Sequence, residues 1–152
     1  MNDVRCIVYT SFATKSITEQ SLKNLLVEAR LFNEQQGVTG VLLHHNGAFF
    51  QYIEGSAGSD EGLFRVYDKI KQSSHHNHID ELLNTTIERK NFPRWSMAST
   101  CLPEASLLSL RNANWRNTIS SVMQENHNSN NQGLKLLIEL IRDLDALDSL
   151  CA

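Results

Sequence analysis

The chain has 152 residues, 41% hydrophobic and 20% charged, with a formal net charge of -3. That is the size of one compact domain with room for an appended helical unit. Acidic and basic side chains are interleaved, which argues against a nucleic-acid or anionic-membrane partner, and no stretch approaches the ~20 consecutive apolar residues of a membrane span.

Arg5 to Thr10 (RCIVYT) is rich in β-branched and aromatic residues and reads as a first strand. Alternation sets Cys6 and Val8 on one face, Ile7 and Tyr9 on the other. Ser16 and Glu19 have capping-box spacing, and Leu22, Leu25, Leu26 and Ala29 recur at helical spacing until Gly37 stops the pattern. Val38 to Gly55 holds two apolar runs separated by Asn46-Gly47, the pair best suited to a type I′ turn, and so reads as a hairpin.

Leu63, Val66, Tyr67 and Ile70 mark a second amphipathic helix, followed by strands over Glu81–Ile87 and Trp95–Thr100. The order β-α-β-β-α-β-β with right-handed crossovers is a ferredoxin-like α+β sandwich, with two helices on one sheet face. From Pro103 onward the chain reads as helical. Leu134, Leu137, Ile138, Ile141 and Leu144 form an apolar stripe expected to cover the other sheet face or a partner. We therefore expect a domain over 1–102 and a helical extension over 103–152.

Three polar residues fall where apolar ones are expected. At about 100° per residue, Asn33 lies about 20° from Leu22 on the core-facing stripe of the first helix. Gln51 shares a strand face with Phe49 and Ile53, and Tyr9 shares one with Ile7. Leaving any of them unpaired in a core would cost roughly 1–3 kcal/mol, so they satisfy one another and the backbone or line a ligand. Periodicity alone leaves both readings open.

Five stretches together carry a resemblance: Val8-Tyr9-Thr10-Ser11; Ala29-Arg30-Leu31-Phe32-Asn33; Gly37-Val38-Thr39-Gly40-Val41-Leu42; Phe50-Gln51-Tyr52-Ile53-Glu54-Gly55; and Asn91-Phe92-Pro93-Arg94-Trp95-Ser96-Met97. In this order and spacing the chain resembles the BLUF family, the blue-light sensors that use flavin adenine dinucleotide (FAD). The resemblance implies a non-covalent FAD whose ring lies between the two helices, with its polar edge toward Tyr9, Asn33 and Gln51. Asn33 would bond the pyrimidine edge, and Arg30, Lys69 and His76 would add cofactor contacts.

The resemblance further implies that light draws an electron and then a proton from Tyr9 by way of Gln51. The Gln51 amide is left rearranged, and Trp95 and Met97 report the change to a downstream signalling protein. Taken alone, Trp95 and Met97 are ordinary core or interface residues. One segment departs from the pattern: in Ser73-Ser74-His75-His76 the family's acidic residue is replaced by Ser73 and its arginine by His75, while His76 matches.

The expected product is a sensory module and not an enzyme. A flavin-dependent oxidoreductase or a hydrolase on the same fold is the enzymatic alternative. Against these, no nicotinamide fingerprint is visible and SFATKS lacks phosphate-cradling glycines. A flavin-free oligomerisation module is the third reading. His75, His76 and His78, with His44 and His45, are the candidate metal ligands, but adjacent histidines on a strand point to opposite faces, so no metal is expected. Cys6, Cys101 and Cys151 show no close spacing and the N-terminus lacks an apolar signal core, so we expect reduced thiols and a cytoplasmic protein; the apolar stripe of the last helix, which packs within the chain or against a partner, goes with an expected homo-oligomer.

Overall fold

The computed structural model describes residues 3–13, 18–74, 76–93, 98–113, 115 and 135–139. The elements run β1 (Val4–Ala13), α1 (Glu19–Gln35), β2 (Thr39–His45), β3 (Ala48–Glu54), α2 (Glu61–Gln72), β4 (His76–Ile87), β5 (Ala98–Cys101) and α3 (Glu104–Asn112). The strands form one sheet in the order β4-β1-β3-β2-β5. The β1–β3, β1–β4 and β2–β3 pairs are antiparallel, and β5 adds in parallel to β2. This is the expected ferredoxin-like α+β sandwich with a fifth strand.

Local chemistry sets the element ends. The helix α1 is capped by Thr18, whose side chain accepts from the Ser21 amide at 3.1 Å while Ser21 Oγ accepts from the Thr18 amide at 3.0 Å. The cap is thus two residues later than the Ser16 cap expected, and Ser16 lies outside the described residues; a serine hydroxyl supplies the return bond that Glu19 was expected to make. The β2–β3 turn has positive φ at Asn46 (48°) and Gly47 (80°), as a type I′ turn requires.

Strand β4 begins at His76, five residues earlier than Glu81 where the sequence pattern opens, and pairs with Phe12 and Ala13 of a longer β1. Apart from Ile79, its early residues are polar, as suits a sheet edge where one side of the strand meets water. The expected fifth strand began at Trp95; the described one begins at Ala98, and residues 94–97 lie outside the described part.

The sheet separates two cores. On one face Ile7, Tyr9, Leu42, Phe49 and Ile53 pack against Leu22 and Leu26 of α1 and Leu63, Val66 and Tyr67 of α2. On the other, Cys6, Val8, Val41, Leu43, Phe50 and Tyr52 pack against Leu107, Leu110, Trp115 and Leu137. The expected alternation along β1 and the expected cover of the second face from the C-terminal part are both present; Leu134, Ile141 and Leu144 lie outside the described residues. Cys6 is a free, buried thiol. Cys101 stands at the end of β5, and Cys151 lies outside the described residues.

Candidate functional site

Between α1 and α2, over the sheet, lies a cleft of about 150 Å³. Its walls are apolar: Leu25, Leu26, Ala29 and Phe32 from α1, Val66 and Ile70 from α2, with Leu42 and Phe49 on the sheet floor. Tyr9, Ser11, Asn33 and Gln51 bring hydroxyl and amide groups to the same cleft.

The centre of the site follows from strand register. Tyr9 and Gln51 are direct cross-strand partners in the β1–β3 ladder, so their side chains leave the sheet side by side on one face. The Tyr9 hydroxyl donates to Gln51 Oε1. Tyr9 is 1% exposed and Gln51 8%, so the bond is shielded from water. Burial pushes the Tyr9 phenol well above its ordinary range, with the neighbouring Tyr67 adding to the effect at a ring distance of 5.6 Å. Tyr9 is therefore a neutral donor. With Gln51 Oε1 taken as acceptor, its NH₂ is the group of that amide that can donate toward a ligand.

Asn33 enters from α1 and is 3% exposed. The helix ends just beyond it, and the Asn33 carbonyl accepts from the Val38 amide at 2.8 Å and the Gln36 amide at 3.1 Å. Gly37, at φ 69°, then turns the chain into β2. The bonded helix end thus fixes where the Asn33 amide stands. Tyr9, Asn33 and Gln51, separated by up to 42 residues in sequence, line one cleft.

The other candidates are distributed differently. Lys69 lines the cleft, and its ammonium lies 4.0 Å from the centre of the Phe32 ring. Arg30 stands outside the lining and donates to Ser99 Oγ at 3.3 Å, which ties α1 to β5. His76 opens β4, but its side chain, like Trp95 and Met97, lies outside the described part. Ser73, noted only as a departure from the family pattern, also lines the cleft. Ser11, which the sequence places in the first matched stretch without a role, and Glu28, which carries no sequence signal of its own, also line the cleft. Ser11 is two residues after Tyr9 on the same strand face, and Glu28 is one turn before Phe32 on α1, so each is legible only from its spacing to that neighbour.

An apolar slot with convergent donors and acceptors suits a flat heteroaromatic ring with one polar edge, and an isoalloxazine is such a group. Among the described residues every buried side-chain nitrogen or oxygen already has a partner. A ligand's polar edge would therefore join an existing network. Among the described residues no helix is long and apolar enough to cross a membrane.

Residues 4–98 match the family model described as BLUF, sensors of blue-light using FAD. The chain is 29% identical over 94 residues to the photoactivated adenylate cyclase subunit beta of Euglena gracilis, covering 61% of this chain and 11% of that protein. It is 31% identical over 96 residues to subunit alpha from the same organism, covering 62% of this chain and 9% of that protein. The chain thus spans about a tenth of the length of these curated relatives.

Among solved structures, BlsA in its photo-activated state superposes with a TM-score of 0.65 at 30% identity, covering 91% of this chain and 94% of that one. The dark state of BlrB, a BLUF protein, gives 0.66 at 21% identity over 97% of this chain and 98% of that one, a likeness of fold. A bacterial light-regulated adenylyl cyclase gives 0.61 at 25% identity, covering 94% of this chain and 36% of that one.

Proposed function

Because the chain belongs to the BLUF family of blue-light sensors using FAD, we propose that it is a photoreceptor whose response is a rearrangement of the Tyr9–Gln51 hydrogen bond. The hydrogen bond from Tyr9 to Gln51 at the base of an apolar cleft carries this reading. Asn33 and the Gln51 NH₂ would hold the polar edge of the flavin ring. Phe32, Val66 and Ile70 would enclose its faces and keep water out, and Lys69, Arg30 and His76 would serve the rest of the cofactor.

When bound, the flavin supplies absorption of blue light and an excited state able to accept an electron. Tyr9 holds its proton at Oη in the dark, since burial disfavours the phenolate. Removal of an electron makes the phenol strongly acidic, so its proton passes along the existing bond to Gln51 Oε1. Return of the electron would bring one proton back to Tyr9: the Gln51 amide would be left turned if that proton comes from Oε1, and tautomerised if it comes from Nε2. Electrons and protons balance over the cycle, and nothing is consumed.

The output of this chain would travel through β5, with Trp95 and Met97 as reporters, into a helical extension over 103–152 and on to a protein partner or a second copy of the chain. Two of the matched relatives are named as light-dependent cyclases, which supports a signalling output without identifying it here. Titration with FAD, followed by flavin fluorescence, tests the binding step. Saturable quenching is expected, and free-flavin fluorescence at every protein concentration would overturn the reading.

A further inference from the structure

Glu54, the last residue of β3, is fully buried. It lies three residues beyond Gln51 and therefore on the opposite face of the sheet. A carboxylate in such a place is stable only with its oxygens satisfied. Oε1 accepts from the Tyr52 hydroxyl at 2.8 Å and the Asn91 amide at 2.7 Å. Oε2 accepts from the Phe92 amide at 2.8 Å and, at 3.4 Å, from the Thr39 hydroxyl. Asn91 Nδ2 closes the ring by donating to the Tyr52 hydroxyl at 3.0 Å, and the Phe92 ring stands edge-on to Tyr52 at 5.3 Å.

The loop bound in this way has a second anchor. Lys90 donates to the Gly37 carbonyl at 2.9 Å, just past the end of α1, the helix that carries Asn33. One short loop, Lys90 to Phe92, is thus fastened both to the strand holding Gln51 and to the end of the helix holding Asn33. The same chain then runs on to β5, which pairs with β2 through Leu42 and Ser99. An apolar side chain would fill the Glu54 position without a desolvation cost, but it would fasten neither backbone amide.

We propose that Glu54 is a positioning residue of the photoresponse: its carboxylate couples β3, and so Gln51, to the Lys90–Phe92 loop and through it to β5. The inference rests on the light-sensor reading. A change in the Gln51 bond shifts β3 against its neighbours. The two charge-assisted bonds from Glu54 to the Asn91 and Phe92 amides carry that shift to the other face of the sheet. With a neutral amide at position 54, one oxygen is replaced by a donor that faces another donor, and the connection loosens while the flavin face keeps its residues.

The test uses the FAD-loaded full chain, with the flavin absorption shift and the amide resonances of Ser99 and Thr100 recorded in the dark and under blue light. In the wild type both respond. In Glu54→Gln the absorption shift persists at its full size while the light-induced changes in β5 fall about threefold or more. Undiminished β5 changes in Glu54→Gln would overturn the proposal, as would a wild type whose absorption shifts while β5 stays silent. Absence of any absorption shift in the wild type would instead sink the light-sensor reading. Infrared difference spectra of wild-type protein carrying ¹³C-glutamate need no variant. A label-sensitive carboxylate band between light and dark is expected, and its absence overturns the coupling even if Glu54→Gln does not fold.

Discussion

Tyr9 and Gln51 face one another across the β1–β3 ladder as direct partners, and the phenol of the first donates to the amide oxygen of the second. The sheet itself sets this pairing, with the backbone of both strands bonded in register from Cys6–Glu54 to Phe12–Ala48. In the proposed photoresponse, a change at this bond would begin within the β1–β3 ladder. Loops contribute neither partner.

Replacement Tyr9→Phe removes the donor and keeps the ring that packs on Tyr67. The variant is expected to bind FAD with an affinity within about threefold of wild type and to show no light-induced absorption change. Binding titration and steady-state difference spectra measure the two quantities. A normal photocycle would exclude Tyr9 as donor.

Asn33→Ala removes a buried amide from the cleft and leaves the main-chain bonds that end α1 in place. FAD binding should weaken about tenfold, equivalent to ~1.4 kcal/mol, as for the loss of one well-made hydrogen bond. Circular dichroism of the apoprotein should be unchanged. Equal affinities would place the Asn33 side chain outside the binding site.

Alkaline pH should destabilise the protein over a defined window. Burial raises the Cys6 thiol from 9.0 to about 12 and raises the Tyr9 and Tyr52 phenols well above 10.0. Each is held neutral in the fold, so above its ordinary value the unfolded chain has released a proton that the folded chain retains. Stability from these groups is complete below pH 9.0 and is lost as pH rises toward about 12. Thermal midpoints should be level across neutral pH and fall steadily from about pH 9 upward; a flat profile to pH 11 would contradict the burial of these groups.

Trp115 packs on Phe50 at a ring distance of 5.5 Å and donates its indole N–H to the Leu110 carbonyl at 2.8 Å. It closes the sheet face opposite the cleft. Trp115→Ala should lower unfolding stability by about 3–5 kcal/mol, measured by urea denaturation. A loss below about 1 kcal/mol would show that this face is not covered as described.

Much of this was legible in the sequence because it depends on period. Alternation along β1 separated Cys6 and Val8 from Ile7 and Tyr9, and helical spacing set Asn33 on the buried stripe; both agree with the two cores. Asn46-Gly47 marked its turn because few residues accept positive φ. Less legible were features set by long-range pairing. The start of β4, His76 to Asp80, polar except for Ile79, is a strand because β1 is there to pair with it. Glu54 carried no local signal of burial, since the amides that satisfy it belong to Asn91 and Phe92, far along the chain. The flavin itself came from the family resemblance, because an apolar cleft with two amides and a phenol does not name its ligand.

The central claim is tested most directly by the absorption spectrum of the FAD-loaded protein before, during and after blue illumination. A small red shift of the flavin band that reverses in the dark is expected, reflecting a changed bond from Gln51 with the cofactor intact. Bound flavin whose band bleaches, or does not move at all, would contradict a response built on rearrangement of the Tyr9–Gln51 hydrogen bond.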